Sequence, residues 1–329
     1  MKINRSNNLL ITGGAGFIGS NFIDFHLQKY PNIRIINLDL LTYAGNLENT
    51  KTFQNNSNYT FIKGSICDTE LLKDIFKNYK IDGVINFAAE SHVDNSIKYP
   101  SEFINTNIKG VYALLQTCFD FWFDKPHMPK DNYINARYHQ VSTDEVYGSK
   151  KNGSFIESDP YSPNSPYSST KASADMLTRS FNKTYGLNTT ISISSNNFGP
   201  NQHKEKFIPK IIECINNNNH IPVYGKGLNI RDWLHVTDNC KAIDLIFNEA
   251  KSGEKFNVAS GNEISNIDLI DLICAISNNQ KKISFVKDRY GHDFRYSIST
   301  KKINKTLGWK AEKFLKTSLE KYIKHSLKN

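Results

Sequence analysis

The chain has 329 residues, 39% of them apolar and 22% charged, a profile that excludes disordered, collagen-like and coiled-coil chains and leaves room for about two domains. Lysine and arginine number 41 against 32 aspartates and glutamates, a formal net charge of +9. That excess is dispersed in pairs such as Lys281-Lys282 and Lys301-Lys302 rather than gathered into a basic stripe, which argues for a solvated surface over a nucleic-acid partner.

Along the chain, short β-branched or apolar runs alternate with segments of helical period. Strands are expected at Leu9 to Thr12, Arg34 to Leu38, Tyr59 to Lys63, Gly83 to Phe87, Tyr138 to Ser142 and Thr189 to Ser194, with helices near 17–29, 69–79, 101–122 and 166–185. Six strands on that rhythm make an α/β protein with a doubly wound parallel sheet of Rossmann type. After Ser195 the rhythm changes: Asn197-Phe198-Gly199-Pro200 is a loop signal, a helix is expected at 207–216, and the run Asn216 to Asn219 reads as the turn that closes it. A smaller substrate-binding lobe is placed there. Because Val236 to Glu249 and Lys255 to Ala259 are able to return to the sheet, the lobes are expected to interleave, with 1–195 plus about 235–262 in the first and 196–234 plus 263–329 in the second.

Five scattered cysteines, Cys67, Cys118, Cys214, Cys240 and Cys274, show no Cys-x-x-Cys pair and read as reduced thiols with no metal site. Met1 to Asn8 lacks the apolar core of a signal peptide, and no run approaches the roughly 20 apolar residues that span a bilayer. A cytoplasmic protein without a membrane partner is the expectation.

In Leu10-Ile11-Thr12-Gly13-Gly14-Ala15-Gly16-Phe17-Ile18-Gly19, glycines at 13, 16 and 19 follow a strand and open a helix. Such a turn brings backbone N–H groups to a pyrophosphate, whose charge the helix N-terminus also favours. Asp39 ends the second strand twenty residues after Gly19, where a carboxylate accepts from an adenosine ribose and repels a 2′-phosphate. The combination points to NAD; a structural glycine turn is the competing reading. Tyr167 and Lys171 stand four apart at the start of a helix and so share a face. An ammonium beside a phenol lowers its pKa toward working pH and makes it a base for a sugar hydroxyl. Ser142-Thr143-Asp144-Glu145-Val146-Tyr147-Gly148 adds an acidic pair at the end of a strand.

These segments, with Asp39-Leu40-Leu41-Thr42-Tyr43-Ala44-Gly45-Asn46, Ala88-Ala89-Glu90-Ser91-His92-Val93-Asp94, Pro166 to Lys171 and Arg231-Asp232-Trp233, make the chain similar to the dTDP-glucose 4,6-dehydratases, extended short-chain dehydrogenase/reductases, from Leu9 to Trp309. Asp144-Glu145 is the most specific piece, since epimerases and reductases of the superfamily generally lack it. The resemblance implies removal of hydride from C4 of a nucleotide-linked glucose, loss of water across C5 and C6, and return of the hydride to C6. The 4-keto-6-deoxy product serves deoxysugar and surface-polysaccharide synthesis, rhamnose included. The elimination needs two acids in different protonation states. By resemblance Glu145 is the base at C5 and Asp144 the acid at C6; Tyr167 takes the C4 hydroxyl proton, Lys171 supports it and Thr143 positions the hydroxyl.

The same resemblance implies cofactor contacts from Gly13, Gly16, Phe17, Ile18, Gly19, Asp39, Leu40, Leu41, Thr42, Ile66, Phe87, Ala88, Ala89, Glu90, Ser91, Thr106, Tyr167, Lys171 and Asn197. For the nucleotide sugar it implies Ser91, Thr143, Asn196, Lys206, Phe207, Pro222, Val223, Tyr224, Arg231, Asn266, Asp288, Arg289, Tyr290, Gly291 and His292. Physically, Arg231 and Lys206 are cationic donors for a diphosphate and Tyr224 is a face for a pyrimidine. A homodimer joined through the helices near 101–122 and 166–185 is also implied. Four positions depart from the family pattern: Ser65 where an aspartate is usual, Phe198 for tyrosine, His203 where an aromatic or proline is common, and Tyr290 for a proline. The competing functions are a UDP-glucose 4,6-dehydratase, an epimerase or decarboxylase of the same fold, and a catalytically silent NAD-binding scaffold.

Overall fold

The computed structural model describes residues 7–326; Met1 to Ser6, read above for a leader, lie outside the described residues, as do 327–329 of the second lobe. In chain order the strands are β1 Asn8–Thr12, β2 Arg34–Asp39, β3 Tyr59–Lys63, β4 Gly83–Asn86, β5 Phe123–Lys125, β6 Met128–Pro129 and β7 Arg137–Thr143. They continue as β8 Thr189–Ser194, β9 Asn196–Phe198, β10 Ile221–Tyr224, β11 Ile230–His235, β12 Lys255–Val258, β13 Glu263–Ser265 and β14 Ile283–Val286. The helices are α1 Phe17–Lys29, α2 Thr69–Tyr79, α3 Val93–Lys98, α4 Pro100–Ile104, α5 Val111–Trp122 and α6 Pro166–Tyr185, then α7 Phe207–Asn216, α8 Val236–Glu249, α9 Asn266–Ser277, α10 Lys301–Leu307 and α11 Leu315–Ser326.

Among the described residues, β12-β8-β7-β4-β1-β2-β3 form one parallel sheet in that order. Its inner strands β4, β7 and β8 are buried on both faces, as parallel strands covered by crossover helices must be, and the edge strand β3 is half-buried. Alternation along β1 shows how: Leu9 and Ile11 pack with Phe22, Ile23, Ile243 and Phe247 of α1 and α8, whereas Leu10 faces Ile75, Phe76, Leu114 and Leu115 of α2 and α5. The chain returns to this sheet after Ser195, and 236–249 does so as a covering helix, with only Lys255–Val258 adding a strand.

The helix expected over 101–122 is interrupted. Between α4 and α5 the segment Asn105–Gly110 widens into a π-helical turn, a feature that often marks functional sites. Asn107 in that turn is buried and bonds both ways with Glu90, accepting from its N–H at 2.9 Å and donating to its carbonyl at 3.0 Å, while also donating to Thr170 Oγ1. The turn thereby pins the segment after β4 to α6.

The second lobe is built on β13-β11-β9 and the parallel pair β10-β14. Ile208, Ile211 and Ile212 of α7, Leu269, Ile270 and Ile273 of α9, and Leu319 and Ile323 of α11 close its apolar core. The Asn216–Asn219 run does close α7: the N–H groups of Asn217, Asn218 and Asn219 donate back to the carbonyls of Glu213, Ile215 and Cys214. Ile303 of α10 and Trp309 pack elsewhere, on Ile246, Phe256 and Val258 of α8 and β12, because that sheet edge leaves apolar surface that only the C-terminal segment covers. No described helix is long and apolar enough to cross a membrane. Leu114 is fully buried between α5 and the sheet, so Leu114→Ala is expected to destabilise the fold by about 2–5 kcal/mol, read as a lower midpoint of urea unfolding.

Candidate active site

The turn after β1 is built so that only glycine fits at its tightest points. Gly13 has φ +70°, and a Cβ there would stand 2.6 Å from the Ala88 amide nitrogen; one on Gly19 would stand 2.4 Å from the Gly13 carbonyl oxygen. Gly16 caps α1 in extended geometry with no side-chain partner, which leaves the first-turn N–H groups for an anion. Gly13, Gly16, Phe17, Ile18 and Gly19 line a cleft of about 320 Å³ together with Asp39, Leu40, Thr42, Ile66, Phe87, Ala88, Ala89, Glu90, Ser91, Thr106 and Asn197. The cradle fits a dinucleotide pyrophosphate. Leu41 does not line it; at φ +55° it turns the chain.

Asp39 is more committed than its sequence position suggests. One carboxylate oxygen accepts from Ala15 N–H at 2.9 Å and the other from Leu41 N–H at 2.8 Å. Burial raises its pKa against those two bonds. It holds the glycine turn as well as edging the cleft. The cleft also contains Ser65 and His203, two of the positions that depart from the family pattern, and Ser142, Ser194, Ser195 and Gln202, which were not assigned to binding. Ser65 Oγ accepts from Cys67 N–H at 3.1 Å, and His203 sets its ring edge-on to Tyr43 at 5.7 Å across the cleft.

At the end of β7 the backbone turns through a single 3-10 turn, Asp144–Tyr147, while Ser165 caps α6 with a capping box and Pro166 begins it. These two terminations set Thr143, Glu145, Tyr167 and Lys171 on the same cleft. Asp144 lies behind them, 3% exposed; its Oδ1 accepts from Thr143 Oγ1 at 3.4 Å and its Oδ2 has no partner among the described residues. Burial, then the adjacent Glu145 charge, pushes Asp144 well above the usual carboxylate range. Burial raises Glu145 too, but Arg289, Arg231 and Lys206 oppose the shift. Both carboxyls are thus raised by burial, Asp144 well above the usual range, and at Glu145 three cations oppose the rise.

Lys171 and Tyr167 differ from the sequence expectation. Lys171 Nζ donates to the Val141 carbonyl at 2.6 Å, and burial lowers its pKa to about 8. The Tyr167 phenol is raised rather than lowered, first by burial and then by the Glu145 charge, with a hydrogen bond to Thr143 acting the other way. In this enclosed site desolvation outweighs any help from the ammonium.

The residues assigned to a nucleotide sugar divide into two groups. Ser91, Thr143, Asn196 and Lys206 line the cleft, with Lys206 Nζ donating to the Ser91 carbonyl at 3.0 Å. The others stand around it. Arg231 is 5% exposed and donates to the carbonyls of Ile230, Phe294 and Asp293, its guanidinium 4.1 Å above the Tyr296 ring. Those three bonds, from two of the guanidinium nitrogens, hold Arg231 as a fixed buried charge. Tyr224 donates to Asp94 Oδ2 at 3.2 Å, and Arg289 lies 5.9 Å above its ring, so the two lobes meet at this edge. Phe207 stacks toward Trp233, Asn266 N–H donates to Asn229, and Val223 is buried beside the exposed Pro222 on β10. His292 Nδ1 pairs with Asp288 at 2.7 Å, Gly291 turns the chain at φ +67°, and Tyr290 is 77% exposed. Phe198 is buried edge-on to His235, a setting with no need of a tyrosine hydroxyl.

The family model for GDP-mannose 4,6 dehydratase matches residues 10–324. The chain belongs to this dehydratase family. It is 43% identical to the low-salt glycan biosynthesis protein Agl12 of Haloferax volcanii, over 97% of this chain and 98% of that one. It is 40% identical to the dTDP-glucose 4,6-dehydratase of Salmonella typhimurium, over 98% of this chain and 93% of that one. Among solved structures it is similar to the dTDP-glucose 4,6-dehydratase DesIV of Streptomyces venezuelae, determined with NAD bound, at a TM-score of 0.91 and 37% identity over 98% and 97% of the two chains. The UDP-glucose 4-epimerase of Thermotoga maritima, at 27% identity over 98% and 99% of the chains, superposes with a TM-score of 0.87. Dehydratase and epimerase thus share this scaffold. For the dehydratase cradle, Gly13→Ala combines a left-handed backbone with a clash on Ala88; NAD affinity is expected to fall by at least about tenfold, measured by calorimetric titration of folded variant and parent.

Proposed function

We propose that the chain converts dTDP-glucose to dTDP-4-keto-6-deoxyglucose, with NAD held by the glycine turn and the cleft residues of 39–42, 66, 87–91, 106 and 197. The carrying observation is the placement of Thr143, Glu145, Tyr167 and Lys171 on the cleft that holds the glycine turn, with Asp144 buried directly behind them. The two-electron oxidation at C4, and its reversal at C6, is the chemistry that bound NAD supplies. Tyr167, positioned with Thr143, accepts the C4 hydroxyl proton as phenolate while the ketone forms, with the Lys171 ammonium on the same helix face opposing the burial that raises the phenol. That ketone acidifies the C5 proton, which Glu145 takes. Asp144 gives its proton to the C6 hydroxyl, which leaves as water; as C6 is reduced Glu145 returns its proton to C5, and the proton taken at C4 by Tyr167 replaces the one Asp144 lost, so the cycle balances without an external acid. Lys206, Arg289 and Arg231 supply positive potential to a diphosphate at the lobe boundary. In this reading 1–195 with about 235–262 binds NAD and 196–234 with 263–329 binds the nucleotide sugar.

A homodimer is part of the same proposal. Ile97, Tyr99, Ile104, Tyr112 and Met176 of α3 to α6 are 39–59% exposed on one side of the sheet, and an apolar patch of that kind favours self-association. Light scattering is expected to give twice the chain mass for the parent and the single-chain mass for Tyr112→Asp; a monomeric parent overturns the pairing.

The reaction is tested by incubating the protein with dTDP-glucose and developing the product in alkali. A keto-sugar chromophore is expected, and dTDP-galactose as sole product rejects the dehydratase reading in favour of an epimerase. Steady-state comparison with UDP-glucose checks the nucleotide. Glu145→Gln is expected to lower turnover by about 10²–10⁴-fold; activity within a few-fold of the parent removes the C5 base from Glu145.

A further inference from the structure

Tyr167, Lys171 and Asp175 follow one another at intervals of four along α6, so a third ionisable side chain lies on the face that carries the first two. Asp175 is 2% exposed, and a buried carboxylate persists only where charge or hydrogen bonds compensate its lost hydration. Its Oδ2 accepts from Ser142 Oγ at 2.6 Å and from Tyr161 OH at 3.1 Å, while Oδ1 has no partner among the described residues. Lys171, one turn earlier, donates to the carbonyl of Val141. Two successive residues of β7 are therefore gripped by two successive turns of α6, directly before Thr143, Asp144 and Glu145.

We propose that Asp175 is a positioning residue for the reaction: a buried countercharge that keeps Lys171 protonated and, through Ser142, fixes the end of β7 that presents Thr143 and the acid pair. The inference rests on the reading of the reaction given above but concerns the lysine rather than the sugar. The charges around Asp175 suit the role. Lys171 faces it from its own helix, Tyr161 from the preceding loop, Tyr147 from the 3-10 turn, Tyr138 from β7 and Lys255 from β12, with Lys255 Nζ 4.3 Å above the Tyr161 ring. Asp175 is the one charge that opposes the effect of burial on Lys171. Burial holds Asp175 at about 6, the Ser142 bond and Lys171 charge acting against it; above that pH it is ionised, and Lys171 gains its countercharge.

The test follows Lys171 directly by NMR in protein labelled at the lysine ε-carbon, its signal assigned by loss in Lys171→Met. In the parent, a main titration near about 8 and a smaller inflection near about 6 are expected. In Asp175→Asn, which keeps the shape of the carboxylate, the inflection is expected to vanish and the main midpoint to fall by about one pH unit. The alkaline limb of kcat/KM should move with it, and Asp175→Glu should shift both back. A merely structural role predicts lower activity with the limb in place. A parent without the acidic inflection, or a folded Asp175→Asn protein with an unmoved midpoint, overturns the proposal; should that variant not fold, the parent's inflection alone decides. Failure of the parent to dehydrate dTDP-glucose rejects the reaction while leaving the titration result intact.

Discussion

Charge held out of water at the carboxyl end of β7 is the constraint on which the site depends. Asp144, Glu145, Tyr167, Lys171 and Asp175 are all enclosed there, and for each of them burial is the largest cause of the shift. In water the two neighbouring carboxyls would ionise together. In a low-dielectric pocket the second charge is costly beside the first, so both carboxyls are raised, and the three cations around Glu145 oppose that rise. The same enclosure strengthens every dipole and charge aimed at a reacting sugar.

The fold supplies that enclosure by simple means. A parallel sheet buried on both faces brings its carboxyl ends to one edge, where ligands of doubly wound folds bind. β1 contributes the glycine turn, β4 the 87–91 segment and β7 the acids. Asn107 in the π-helical turn then ties the β4 segment to α6, so the cofactor wall and the catalytic helix share one support. The second lobe closes the remaining side and adds Arg231 and Arg289, charges that the first lobe lacks at this point. Because three bonds to backbone carbonyls hold Arg231, its position is fixed before any substrate arrives, which is preorganisation.

Departures from the family pattern fall where the fold tolerates them. Phe198 occupies a buried aromatic contact and Tyr290 is exposed, whereas Ser65 and His203 lie on the cleft itself. The latter two are the positions at which this chain has altered its cofactor wall. His203 meets Tyr43 from a loop nearly the length of the first lobe away in sequence, a contact that no local motif announces.

Much of the architecture is written in local pattern. Strands 59–63 and 189–194 and helices 17–29, 69–79, 166–185 and 207–216 follow from β-branched and aromatic runs, periodicity and caps, because such side chains suit a pleated sheet and Ser165-Pro166 is a strong helix start. The glycines, the acid pair and the Tyr-Lys spacing likewise carry their chemistry in residue type. Only the tertiary structure decided the break at Asn105–Gly110, the return of 236–249 as a covering helix rather than a strand, the packing of Trp309 on that sheet rather than on the second lobe, and the capture of Arg231 by carbonyls. It also decided protonation. The sequence places an ammonium near a phenol and two carboxyls side by side, but whether each gains or loses a proton depends on the depth of burial and on cations delivered from residues 206, 231 and 289, distances that sequence spacing does not contain.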